Sequence, residues 1–225
     1  MRQRIIAAIF LSLSIVIAHT AGAAPITLTF EGGPRDCEAV DNYYNGGSGN
    51  QGTGPGPDLG IVFLSTYAGV DDDVGGHCGN FGAEPSPDTT IWFQQGGQGA
   101  WMNVASGFTQ GLSFYYSNPN GDNSIYIYSG TTGTGTLLAT LFLPVTPWNG
   151  QPDPTGTLSP FSFVSVAFSG TARSVDFRQL AHRAYVDNLT LAATTVPVPA
   201  AAWLLGSALG IMGWLRRTAR SRLRD

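Results

Sequence analysis

The chain has 225 residues, enough for one sizeable domain, with 11 basic side chains that are all arginine and 15 acidic ones. Most of the arginines stand in the two terminal segments, so residues 24–195 keep only Arg35, Arg173, Arg178 and Arg183 against fourteen acids, a net charge of about −10. A surface of that sign repels phosphate backbones and argues against a nucleic-acid partner, while it attracts divalent cations.

The N-terminus opens with MRQR, continues through an apolar run from Ile5 to Ala18, and reaches Ala21-Gly22-Ala23. A positive start, an apolar stretch and small residues before a cut describe a secretory signal peptide over residues 1–23, cleaved after Ala23. An uncleaved membrane anchor is the alternative reading.

Between residues 24 and 192 the pattern is that of an all-β domain. Glycine (30) and proline (14) make up about a fifth of the chain, against roughly 12% in an average protein. They separate short runs rich in β-branched and aromatic residues: 26–31, 61–66, 90–94, 101–106, 111–117, 124–129, 136–143, 161–168, 174–180 and 184–191. Ten such strands with turn residues between them predict an antiparallel two-sheet sandwich, jelly-roll-like in layout. In FSFVSVAF (161–168), Ser162 and Ser165 have opposite parity, so the register of that strand stays open.

Two loops are long. NGGSGNQGTGPGPDLG (45–60) carries seven glycines and needs a ligand, a disulfide or neighbouring packing to hold one shape. PVTPWNGQPDPTGTLSP (144–160) is rich in proline and presents Trp148. Cys37 and Cys78 are the only cysteines. In an exported segment they are free to oxidise to a disulfide, two separate thiols being the other possibility.

Few residues offer catalytic chemistry. Beyond residue 23 the histidines are His77 and His182, and neither G-x-S-x-G nor H-E-x-x-H occurs. A glycosidase needs only two carboxylates, and Glu31, Glu38, Asp41 and Glu84 are available for that alternative. Stacking on sugar rings calls for exposed aromatic faces. Trp92, Trp101, Tyr115, Tyr116, Tyr126 and Tyr128 lie in strand patterns and read as core, Tyr126 and Tyr128 sharing one face, which leaves Tyr43, Tyr44 and Trp148 as ligand-binding candidates.

Calcium is the expected cofactor, since loops rich in Asp, Asn and Gly supply hard oxygen ligands. In layout the body resembles jelly-roll carbohydrate-binding modules, a resemblance that implies a structural Ca²⁺ between first and last strands. Here that site recruits Glu31, Asp187 and Asn188, with Asp71, Asp72 and Asp73 as additions; a solvated acidic turn at 71–73 is the plainer alternative.

The chain closes with VPVPAAAWLLGSALGIMGWLRRTARSRLRD. Twenty uncharged residues from Val196 to Leu215 are long enough for one transmembrane helix, and the arginines after it belong on the cytoplasmic side, leaving residues 24–195 outside. The stiff Pro197-Val198-Pro199 stretch, the apolar segment and Arg216-Arg217 together resemble the PEP-CTERM sorting signal. The resemblance implies a Gram-negative inner-membrane intermediate processed by exosortase and released to the cell surface or the biofilm matrix, with residues 193–225 as linker and sorting segment. Val198 stands where that motif has Glu. Phe30-Glu31-Gly32, the Asn42–Gly47 stretch and the Asp187–Leu191 stretch resemble exported members of the same group more weakly. The functional expectation is a non-catalytic surface or matrix protein that binds exopolysaccharide with structural calcium; a secreted glycan-active enzyme and a self-assembling adhesion protein are the alternatives.

Overall fold

The computed structural model describes residues 24–94, 99–148, 150 and 153–194. The signal-peptide segment, the sorting residues Pro197, Val198, Pro199, Arg216 and Arg217, and the expected transmembrane helix lie outside the described residues. Among those described, no helix is long and apolar enough to cross a membrane.

Among the described residues nine strands form, all paired antiparallel: β1 (Ile26–Leu28), β2 (Ile61–Leu64), β3 (Thr66–Val70), β4 (Thr89–Phe93), β5 (Trp101–Ser117), β6 (Asn123–Tyr128), β7 (Leu137–Leu143), β8 (Ser162–Asp176) and β9 (Tyr185–Thr194). The only helical pieces among the described residues are three-residue 3-10 turns. The all-β expectation therefore holds, with two adjustments to the strand list. The run 61–66 is cut at Ser65, which has φ 50°, and continues as β3, a strand the alternation did not reveal. In the opposite sense, 101–106 joins 111–117 as β5, and 161–168 joins the start of 174–180 as β8.

Those two long strands decide the architecture. Instead of two separate sheets, one hydrogen-bonded network runs β3-β4-β9-β5-β8-β6-β7, with β1 on β9 and β2 on β5. β5 pairs with β2 through residues 101–104 and with β9 through residues 108–117, while β8 pairs with β5 along most of its length and with β6 only at 174–176. Register shifts between Asn103 and Gln110, where Gly107 has φ 81° and Gln110 has φ 73°, bend the pair. Bulges raise local twist and turn a strand across a fold. The two arms therefore share one core.

Alternation fills that core. Ile61 and Phe63 from β2, Met102 and Val104 from β5, Ile125 and Ile127 from β6, and Leu189 and Leu191 from β9 all belong to one buried cluster. Burial of each such side chain stabilises by about 1.5–3 kcal/mol. In β8, Val164, Val166 and Phe168 lean on the cluster, while Phe163 is 57% exposed. That resolves the register of FSFVSVAF.

Cys37 and Cys78 form a disulfide, with Cα atoms 5.5 Å apart and a sequence separation of 41. It joins the Glu38 segment to the 71–81 loop, which Asp36 also holds by accepting from the backbone N–H groups of Val70, His77 and Cys78. On loop-closure entropy the crosslink stabilises by about 4 kcal/mol. Replacing both cysteines with serine is expected to lower unfolding free energy by that order in denaturant melts. An unchanged midpoint would show that Asp36 and the surrounding packing suffice.

Candidate functional site

The first and last strands meet where calcium was expected. Leu28 pairs with Leu189, so the chain leaving β1 toward Glu31 runs beside Asp187 and Asn188. In the ladder with β5, Ser113 faces Thr190 but Tyr115 faces Asp187, which leaves one extra residue in β9. Asn188, at φ 48°, occupies this bulge. The bulge breaks simple alternation and re-aims the side chains around it.

Asp187 is fully buried. Its Oδ2 accepts from the Ser86 N–H at 2.9 Å, both oxygens accept from Ser86 Oγ at 2.8 Å, and Oδ1 accepts from the Asn188 N–H at 2.6 Å. Burial pushes the carboxyl up to about 6; the Ser86 and Asn188 donors pull it down, and the nearby Glu31 charge adds to the rise. Glu31 accepts from the Thr89 N–H at 2.9 Å, and burial is again the main cause of its raised pKa. Asn188 Oδ1 is buried without a hydrogen-bond partner among the described residues. A buried orphan acceptor is costly. Carboxylates and an amide oxygen are the types of donor that a hard cation takes.

The acidic turn is built differently. Asp71 is buried, and its Oδ1 accepts from the Phe81 N–H at 3.0 Å, while Asp72 accepts from Asn80 Nδ2 at 2.8 Å. Asp73 is exposed. Among the described residues, the only group of three His, Cys, Asp or Glu ligand atoms lying together is Asp36 with the two disulfide sulfurs, which are not ligands. The structure therefore does not gather Asp71 and Asp73 with Glu31 and Asp187 into one such group.

Glu38 has a role that its sequence neighbourhood did not show. It is fully buried, with Oε1 accepting from the N–H groups of Gln51 and Thr53 at 3.0 Å each. Oε2 accepts from the Arg35 N–H at 2.8 Å and from Thr53 Oγ1 at 2.5 Å. Four donors fill its acceptor positions, and this anchor holds the glycine-rich loop. Gly49 is required there because a Cβ would come within 2.5 Å of Glu38 Oε1.

The aromatic candidates separate. Tyr44 lies in the core, 6% exposed, and presents no open face, while Tyr43 packs edge-on against it and is half-buried. Trp148 is 50% exposed. Trp101 and Tyr116 are buried as expected, but Tyr126 and Tyr128 sit on the outward face of β6, half-buried, because Ile125 and Ile127 occupy the inward one. Trp92 stacks on Tyr67 with ring centroids 5.2 Å apart.

Sequence reasoning missed a cleft of about 550 Å³ at one end of β6, lined by Asp122, Asn123, Arg178, Gln179, His182 and Arg183. A 3-10 turn at Arg178–Leu180 and the turn after it place these groups beside the start of β6. Arg178 is held by Asp176, with Nε to Oδ1 at 2.9 Å and Nη2 to Oδ2 at 2.7 Å, and lies over the Trp101 ring at 4.8 Å. A second cleft of about 500 Å³ is lined by residues including His77, Asn80, Trp92 and Tyr185.

No family model and no curated protein matches the chain. Solved structures do. A β-1,3-glucan-binding CBM6 from Bacillus halodurans is 16% identical, covering 60% of this chain and 89% of its own, with a TM-score of 0.35. CsCBM6-3 from Clostridium stercorarium, in complex with cellobiose, is 17% identical over 59% of this chain and 88% of its own, at 0.34. The Podospora anserina GH26-CBM35 β-(1,4)-mannanase is 14% identical over 63% of this chain and 27% of its own, at 0.33. Similarity of this size assigns the chain to no family and to no ligand.

Proposed function

We propose that the chain is an exported, non-catalytic glycan-binding protein whose first and last strands are tied together by Ca²⁺, and that the folded sheet is a jelly-roll variant. The observation that carries the binding reading is the cleft beside β6. Its acid, amide and guanidinium groups suit ligands rich in hydroxyls, and the half-buried Tyr126 stands next to it through the Gln179 Nε2 to Tyr126 Oη hydrogen bond of 3.0 Å. Calcium would be held by Glu31, Asp187 and Asn188, where it would neutralise two carboxylates and fill the orphan amide oxygen. It would act on the fold and touch no sugar. In the same reading, the tail resembling PEP-CTERM delivers the body through an exosortase to the cell surface or the biofilm matrix.

The enzymatic alternative loses one of its carboxylates, because Glu38 has its acceptor positions filled by donors and faces no open cleft. The test is a pull-down of the full chain, oxidised and in detergent, on exopolysaccharide from the source organism, with CaCl₂ or with EDTA. Saturable binding without release of soluble sugar is expected, weakened in EDTA. Release of reducing sugar would overturn the non-catalytic reading, and absence of binding in both conditions would overturn the matrix-binding one.

A further inference from the structure

We infer that the cleft beside β6 binds the carboxylate of an acidic saccharide, a uronic-acid residue, with Arg183 as its anion-recognising group; this rests on the glycan-binding reading above. Half of the arginines in residues 24–194, Arg178 and Arg183, line this one cleft, as does His182, although these residues carry fourteen acids in all. Which of the lining groups still have hydrogen-bonding capacity decides the ligand chemistry.

Several of them are committed. Gln179 accepts from the Ser124 N–H through Oε1 and donates to Tyr126 through Nε2, so it forms a fixed wall. Asn123 Nδ2 donates to the Gly121 carbonyl, and Asp122 Oδ1 accepts from the Val145 N–H. Arg178 has spent Nε and Nη2 on Asp176. Arg183 is exposed, and the Arg178–Asp176 pair is the one ion pair among the described residues. What the cleft still offers is the Arg183 guanidinium and Arg178 Nη1 as charged donors, with Asp122 Oδ2 and Asn123 Oδ1 as acceptors.

Charged donors select a ligand that brings charged acceptors. A guanidinium presents parallel N–H groups that match a carboxylate in bidentate fashion. The remaining acceptors suit the ring hydroxyls of the same sugar, since a hydroxyl donates as well as accepts. A neutral sugar would offer Arg183 only hydroxyl acceptors and gain less from its charge.

The experiment titrates the full oxidised chain, in detergent micelles, with trigalacturonate and with the neutral galactotriose, by calorimetry at low salt. The wild-type chain is expected to bind the acidic trisaccharide more tightly, and the preference should shrink as NaCl is raised. R183Q should lose roughly tenfold for trigalacturonate and distinctly less for galactotriose, with the melting temperature unchanged. R183K should recover part of the loss. Equal affinity for the two sugars, or an R183Q variant indistinguishable from wild type, overturns the acidic-sugar assignment and leaves glycan binding standing if galactotriose or the exopolysaccharide still binds. Loss of binding to these sugars and to the source exopolysaccharide alike overturns the glycan-binding reading and this inference with it.

Discussion

Replacing Glu38 with alanine is expected to destabilise the protein by about 3–5 kcal/mol, a large share of the roughly 5–15 kcal/mol that separates folded from unfolded domains. The substitution removes the acceptor for three backbone N–H groups and one hydroxyl at once. Water has no ready route to replace it, because the side chain is 0% exposed. E38Q is the more informative variant. Whichever way the amide is turned, its NH₂ faces donors: Gln51 and Thr53 N–H on one side, Arg35 N–H and Thr53 Oγ1 on the other. Only the Thr53 hydroxyl can turn round to accept. Glutamine is therefore expected to cost nearly as much as alanine, despite its matching shape.

The same carboxylate sets a pH dependence. Burial acts to raise the Glu38 pKa, but donors from Thr53, Arg35 and Gln51 outweigh it and hold the group below its ordinary value of 4.5. A folded pKa below the unfolded one contributes stability that is fully present above about pH 4.5 and is lost as pH falls through the folded value. Urea melts between pH 7 and pH 3 should show this loss in wild type and a flatter profile in E38Q. A parallel profile would mean that other carboxylates carry the acid sensitivity.

The second large effect is expected from calcium. At a Ca²⁺ concentration about one hundred times the Kd, binding to the folded state alone adds about 2.7 kcal/mol, which for a domain of this size raises Tm by roughly 5–10 °C. D187N should abolish the shift. It should also lower stability in EDTA, because either orientation of the new amide sets an N–H group among the Ser86 and Asn188 donors. An alanine at Asn188 should weaken the calcium response and cost less in EDTA, since the amide oxygen it removes has no partner among the described residues. If millimolar CaCl₂ leaves the Tm unmoved, the Asp187 cluster is a protein-only strap between β9 and the Ser86 loop. The Glu31–Asp187–Asn188 calcium assignment then fails.

Much of this cluster was legible in the chain, and part was not. Glu31 and Asp187 could be named because the layout resembles jelly-roll carbohydrate-binding modules, a resemblance that implies a cation between first and last strands. Ser86 could not be named, because it lies 101 residues from Asp187 in sequence and nothing in the Ser86-Pro87-Asp88 stretch signals a buried carboxylate partner. Glu38 was legible only as one acid among several. Its function depends on where the chain of Arg35, Gln51 and Thr53 returns to it. Tyr44 was misplaced for a related reason: a tyrosine beside a glycine-rich loop looks exposed until Phe30 and Phe63 close over it.

By itself, the sequence determined that the body is β-rich, acidic and oxidisable, and which side chains alternate inward on Ile61–Leu64 and Asn123–Tyr128. These are local properties, set by the two-residue period of a strand and by composition. Only the tertiary structure decided that β5 and β8 run through both arms of one sheet, that Asn188 bulges out of β9, and that Arg178 and Arg183 meet Asp122 across a cleft. Each of those depends on contacts between residues tens of positions apart. Alternation carries no information about which strand lies beside which.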